Sequence, residues 1–151
     1  MRLDKRADPV AWAKVDRELY GPLERIFAQY GAPTYALVGP AAASQFLFMI
    51  QHQPPEFRRK VLPKLKSNVD AGQGDAEVYA MMYDRAATDA GRPQRYGENF
   101  VCDTQHPNPR PAPIEDEARV DERRAGIGRV RLALQTREIA AMFGTSLCGP
   151  R

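Results

Sequence analysis

Pro40-Ala-Ala-Ala-Ser-Gln-Phe-Leu-Phe-Met-Ile-Gln-His52 is the most apolar segment of the chain. From Ala41 to Ile50 it is apolar on nearly every face, which marks a helix surrounded by protein rather than one lying on a surface. Proline suits the first helical position, and Gln53-Pro-Pro55 closes the segment. Its longest unbroken apolar run, Phe46–Ile50, is far short of the about 20 residues that a membrane span needs. No membrane partner is expected. Such a helix needs other helices around it.

Those helices are legible on both sides. Asp8-Pro9 is a capping residue followed by proline, and behind it Trp12, Val15, Leu19, Leu23, Ile26, Phe27 and Tyr30 recur at helical spacing. Gly21-Pro22 predicts a kink or break within that helix, and Gly31-Ala-Pro33 its end. A third helix is expected over about 55–71, with Phe57, Val61, Leu62, Leu65 and Val69 on one side; Pro63 is accommodated by local distortion. Asp75 caps a fourth, to about Ala90, whose inner stripe is Val78, Met81, Met82 and Ala86. Residues 92–116 then carry Pro93, Pro107, Pro109, Pro111 and Pro113 with no helical period, a long loop of the kind that is functional or disordered. Tyr96–Val101 with Ala112–Ile114 would make a minor hairpin there. Helical patterning returns at about 117–125 and 129–143. The expectation is an all-α fold: a compact antiparallel, bundle-like single domain over 1–143, with a frayed tail over 144–151.

Composition narrows the function classes. At 151 residues, 43% hydrophobic and 27% charged, the chain is a globular domain and not a disordered or collagen-like one. Its 22 basic and 19 acidic residues are well mixed. The one local basic concentration, Arg58-Arg-Lys60 with Lys64 and Lys66, lacks aromatic interleaving, so it reads as a solvated helix face and no nucleic-acid partner is expected. The first residues have charge but no apolar segment of the secretory type. Cys102 and Cys148 form neither a disulfide framework nor a zinc spacing, which suggests a reducing, cytoplasmic setting with Cys102 inert and Cys148 exposed. No Walker loop, dinucleotide glycine pattern, HExxH, nucleophile elbow or EF-hand loop is present, so neither cofactor nor metal is expected.

What remains are polar residues where a core would prefer apolar ones. Gln51-His52 ends the most apolar helix, Asp84-Arg85 sits in the fourth helix beside Met81 and Met82, and Gln94, Tyr96 and Gly97 open the long loop. His52 is the natural proton carrier near neutral pH. Asp84 would orient it or act as the base itself. Arg85 offers a fork for a carboxylate or phosphate. Gln51, Gln94, Tyr96 and, reaching back from the later helix, Arg124 would bind substrate. Each also has a structural reading: the histidine set against a helix dipole, Asp84 and Arg85 in ion pairs, Gln94 as a cap, Tyr96 as a core plug. Asp116 reads as a cap, Asp121 with Arg124 as a helical ion pair, and His106 as an exposed loop residue.

Leu37-Val-Gly39, Gln51-His52, Asp84-Arg85, Gly91-Arg-Pro-Gln-Arg-Tyr-Gly97, Pro111-Ala-Pro-Ile-Glu-Asp116 and Val120-Asp-Glu-Arg-Arg124, followed by Gly128 and Leu132, recur in that order. In this the chain resembles a bacterial family known only as domain of unknown function 6624, over about Asp16 to Leu134. Three departures stand out: Ala32 where that family has tryptophan, Arg58 where it has glutamine, and Glu98-Asn99 where it has Thr-Gln. The resemblance supplies no reaction, but its pattern coincides with the polar set chosen on chemistry. The expectation is a small acid–base enzyme, without a cofactor, acting on a polar or anionic small molecule or peptide by hydrolysis, elimination or isomerisation. The alternative is a non-catalytic module that binds a peptide or partner protein, with an exposed apolar patch near Trp12 and Ala32.

Overall fold

Burial of the apolar segments produces helices almost throughout. The computed structural model describes residues 9–103 and 106–148, with side chains over 11–102 and 108–142. The chain forms two compact units, Met1–Asp75 and Ala76–Arg151.

The first unit contains α1 (Pro9–Tyr30), α2 (Tyr35–Val38), α3 (Pro40–Ile50) and α4 (Pro55–Asp70). Ala43, Phe46, Leu47 and Ile50 of α3 are buried with Phe57, Val61 and Leu65 of α4 and Leu23 of α1. Tyr20 and Phe27 meet the Phe57 ring edge-on at 5.6 and 5.9 Å, so one aromatic residue joins α1 to α4. Full burial of such side chains contributes about 1.5–3 kcal/mol each, which is what holds the apolar α3 in place. Of the kink or break expected at Gly21-Pro22 there is no break, for α1 is continuous through it, and α4 runs through Pro63 as expected. Short α2 was not anticipated: Thr34 caps it, its hydroxyl accepting from the Leu37 N–H at 3.2 Å. Asn68 donates to the Ala32 carbonyl at 3.0 Å and secures the α1–α2 connection to α4.

The second unit contains α5 (Ala76–Asp89), β1 (Phe100–Asp103), β2 (His106–Pro111), α6 (Val120–Ala125) and α7 (Leu132–Cys148). The strands pair antiparallel with Phe100 opposite Pro111 and Val101 opposite Arg110, and α7 packs against β2. The hairpin therefore lies upstream of the Ala112–Ile114 partner expected from sequence. Ala112 still bonds to the Asn99 carbonyl, and Gln94 bridges Ile114 in parallel. Proline carries no N–H, so a strand reading His106-Pro-Asn-Pro-Arg-Pro111 serves only on such a short ladder.

Four expectations are corrected here. Asp116 is left-handed (φ 42°) and caps nothing with its side chain; a short 3₁₀ turn follows it at Glu117–Arg119. Asp121 accepts from the Leu132 N–H at 2.8 Å instead of pairing with Arg124. Cys102 is disulfide-bonded rather than an inert thiol, a state that oxidising compartments favour and reducing ones disfavour. Residues 144–148, expected to fray, lie within α7. Residues 149–151, the His106 side chain and the Cys148 side chain fall outside the described parts. Among the described residues no helix is long and apolar enough to cross a membrane.

Candidate functional site

His52 stands on the turn that Gln53-Pro-Pro55 forces after α3. The His52 N–H donates to the Met49 carbonyl at 3.3 Å and the Gln53 N–H to Ile50 at 2.9 Å, closing the helix tightly. Buried Arg58, one turn into α4, then donates to the carbonyls of Gln51 and Gln53, on either side of His52. The imidazole is exposed, edge-on to Phe48 at 5.6 Å. It opens onto a cavity of about 630 Å³ lined by Asp16, Arg17, Tyr20, Gln53, Pro54, Pro55 and Arg58. Burial, and after it the charges of Glu24 and Glu56, holds the Tyr20 phenol above its ordinary value. At neutral pH Tyr20 is therefore a hydroxyl donor. The cavity combines an imidazole, a phenol, a carboxylate and guanidinium groups with the rings of Pro54 and Pro55. Gln51, expected to bind substrate, is buried beneath the turn, with its carbonyl held by Arg58.

Most of the other predicted residues lie in the second unit, around the turn 94–99. Asp84 is fully buried on α5. Its Oδ1 accepts the N–H groups of Arg95 (2.7 Å) and Tyr96 (3.0 Å), and its Oδ2 that of Glu98 (2.9 Å). Burial pushes this carboxyl above the ordinary aspartate value while the three N–H groups pull it back. Gln94 is equally buried; its amide donates to the carbonyls of Asn99 and Ala112 and accepts from the Asn99 N–H, all within 2.8–2.9 Å. Tyr96 packs edge-on against Tyr79 and Tyr83. Arg85, by contrast, is exposed on α5.

Arg124 closes this assembly from α6. It is completely buried, donating to the carbonyls of Tyr96 and Val130 at 2.6 Å each and to the side chains of Glu98 and Gln135. Burial lowers its guanidinium from the usual value, and the Glu98 carboxylate acts in the opposite direction. Arg129 grips the same carboxylate at 2.8 and 3.0 Å. Glu98 thus holds two arginines and was missed as a centre from sequence. The available signal was the pair of arginines Arg124 and Arg129 following a loop that carries Glu98 two residues after Tyr96. Neighbouring Arg123 turns the other way and donates to the carbonyls of Arg95 and Glu115.

Gly97 shows how tightly the turn is fitted. Its φ is +79°, and a Cβ there would stand 2.6 Å from Leu132 Cδ1 and 3.3 Å from Ile114 Cδ1. Both the backbone and the space exclude a side chain. Gly97→Ala should therefore lower the unfolding free energy by about 2–4 kcal/mol in urea titration, the sum of a left-handed penalty and overpacking.

In chemical terms the first unit offers an open cavity with titratable groups, and the second a turn whose polar atoms engage its own main chain. Among the described residues no group of three His, Cys, Asp or Glu side chains could hold a metal ion. Helical architecture with these two motif-bearing clusters defines the class, and the sequence match fixes the family. The chain belongs to the family of unknown function DUF6624, which it matches over residues 10–147. Neither curated proteins nor solved structures give a match.

Proposed function

We propose that the protein binds a polar or anionic small molecule, or a peptide end, in the cavity beside His52 and transforms it by acid–base chemistry. The observation that carries this reading is the exposed imidazole at the mouth of a cavity of about 630 Å³ that also presents Tyr20, Asp16, Arg17 and Arg58. His52 would move the proton. Tyr20 would donate a hydrogen bond to developing negative charge, and Arg17 would attract the anionic part of the ligand. Asp84, Gln94, Tyr96 and Arg124 enter this reading as the groups that hold the turn 94–99, and Arg85 as an exposed cation. Hydrolysis, elimination and isomerisation all suit such a set.

The test is a panel of chromogenic esters and phosphates, with inorganic phosphate, citrate and N-acetyl amino acids as binding probes followed by the His52 ring resonances. Turnover above the buffer rate should fall by about 100-fold or more in His52→Gln, the usual contribution of a general acid–base group. Binding that shifts the His52 ring without turnover would replace the enzyme by the binding module. If no probe moves that ring, the cavity is not a ligand site of this class.

A further inference from the structure

The apolar pattern of α1 is larger than the area its own unit covers. Leu23 is buried and Tyr20 and Phe27 pack on Phe57. The adjoining stripe is bare: Trp12 is 59% exposed, Val15 42%, Ile26 41% and Tyr30 61%. Leu19 lies on the same stripe, for Trp12, Leu19 and Ile26 are spaced by seven residues, close to two helical turns. From Trp12 to Tyr30 the stripe runs about 27 Å at 1.5 Å per residue. Isolated exposed apolar residues need no explanation, but a continuous seam with the large aromatics at its ends does.

The seam is complementary to itself. Gly21 lies midway between Trp12 and Tyr30, so two copies of α1 packed antiparallel about this point bring Trp12 of one against Tyr30 of the other. Val15 then faces Ile26. The flank obeys the same symmetry: Glu18 and Arg25 border the seam on one side, and the same rotation sets each opposite its counterpart of opposite charge, twice over. Such a twofold contact buries identical patches on both copies. Among the described residues Glu18 meets its helix neighbour Lys14 at 3.8 Å, with both side chains well exposed, a weak pair that leaves the carboxylate accessible. We propose that the protein associates with a second copy of itself through the Trp12–Tyr30 face of α1, as an antiparallel helix pair. Asp16, Arg17 and Tyr20, which line the cavity, project to the other side of the seam, so this contact does not depend on the reading of His52.

Sedimentation equilibrium of the full chain tests it, over about 1–200 µM, the range in which a contact of this modest size dissociates. The expected result is a monomer–dimer equilibrium. Trp12 is the only tryptophan, so its emission should move to shorter wavelength as the dimer forms. Trp12→Glu and Ile26→Glu alter exposed side chains and should be monomeric with unchanged circular dichroism, and with the parent's thermal midpoint at concentrations low enough for the parent to be monomeric too. Glu18→Arg should weaken association by about tenfold through two repelling pairs, and Glu18→Arg with Arg25→Glu should restore it. A monomer at every concentration overturns the proposal and leaves the face to a different protein. A dimer that survives both glutamate variants with unshifted Trp12 emission overturns it as well, since the interface then lies elsewhere. Turnover or probe binding at His52 is read separately and bears on neither outcome.

Discussion

Replacing Arg124 by methionine should lower the unfolding free energy of the second unit by about 3–5 kcal/mol, the range found when one partner of a buried ion pair is removed. The reason is the partner set rather than the charge alone. Methionine fills similar volume but leaves the carbonyls of Tyr96 and Val130 without their donor, and strips one of two cations from Glu98. Urea titration with an unchanged m-value is the measurement. Pairing the change with Glu98→Gln should recover part of the loss, because the buried carboxylate then no longer lacks its counter-charge. A loss of less than about 1 kcal/mol for Arg124→Met would place the guanidinium outside the folding core, contrary to its position here.

Asp84→Ala should be comparably severe. Three buried or half-buried main-chain N–H groups lose their acceptor at once, and each unsatisfied donor costs about 1–3 kcal/mol. The loss should be local in character: amide exchange at Arg95, Tyr96 and Glu98 should accelerate together. Asp84→Asn keeps one carbonyl oxygen, so the Arg95 and Tyr96 bonds can survive while an amide donor faces the Glu98 N–H; its cost should fall between parent and alanine. A neutral or stabilising Asp84→Asn would instead mark a carboxylate retained for a ligand at the expense of stability.

These two residues show what was legible in the sequence and what was not. The longer helices are readable because each depends on local periodicity and punctuation, whereas four-residue α2 is too short to show a period. Pro40 and Gln53-Pro-Pro55 bracket α3, and Gly72-Gln-Gly74 separates α4 from α5. The exact partner of β1 was not readable, because strand register here is settled by Gln94 and Asn99 bonding across the loop rather than by alternation of apolar residues. Of the polar residues singled out in the sequence, the structure brings Asp84, Gln94, Tyr96 and Arg124 to one turn, where their polar atoms bind main chain. A buried carboxylate that binds substrate and one that binds three peptide N–H groups have the same sequence, and only the positions of the donors distinguish them. Glu98 escaped because pairing across 26 residues with Arg124 has no local signature. The Cys102 disulfide has none either, since it depends on which chain segments meet.

His52 differs from this buried group in being exposed, and the proposed function therefore separates stability from activity. The most direct test is urea unfolding of His52→Gln measured beside the phosphate, citrate and N-acetyl amino acid titrations and the ester and phosphate turnover assays. The expected result is an unfolding free energy within about 0.5 kcal/mol of the parent, as for other surface substitutions, together with loss of turnover or of probe binding. A His52→Gln protein that is destabilised by about 2 kcal/mol or more, and that binds and turns over the same probes as the parent, would make His52 a structural residue and contradict the account.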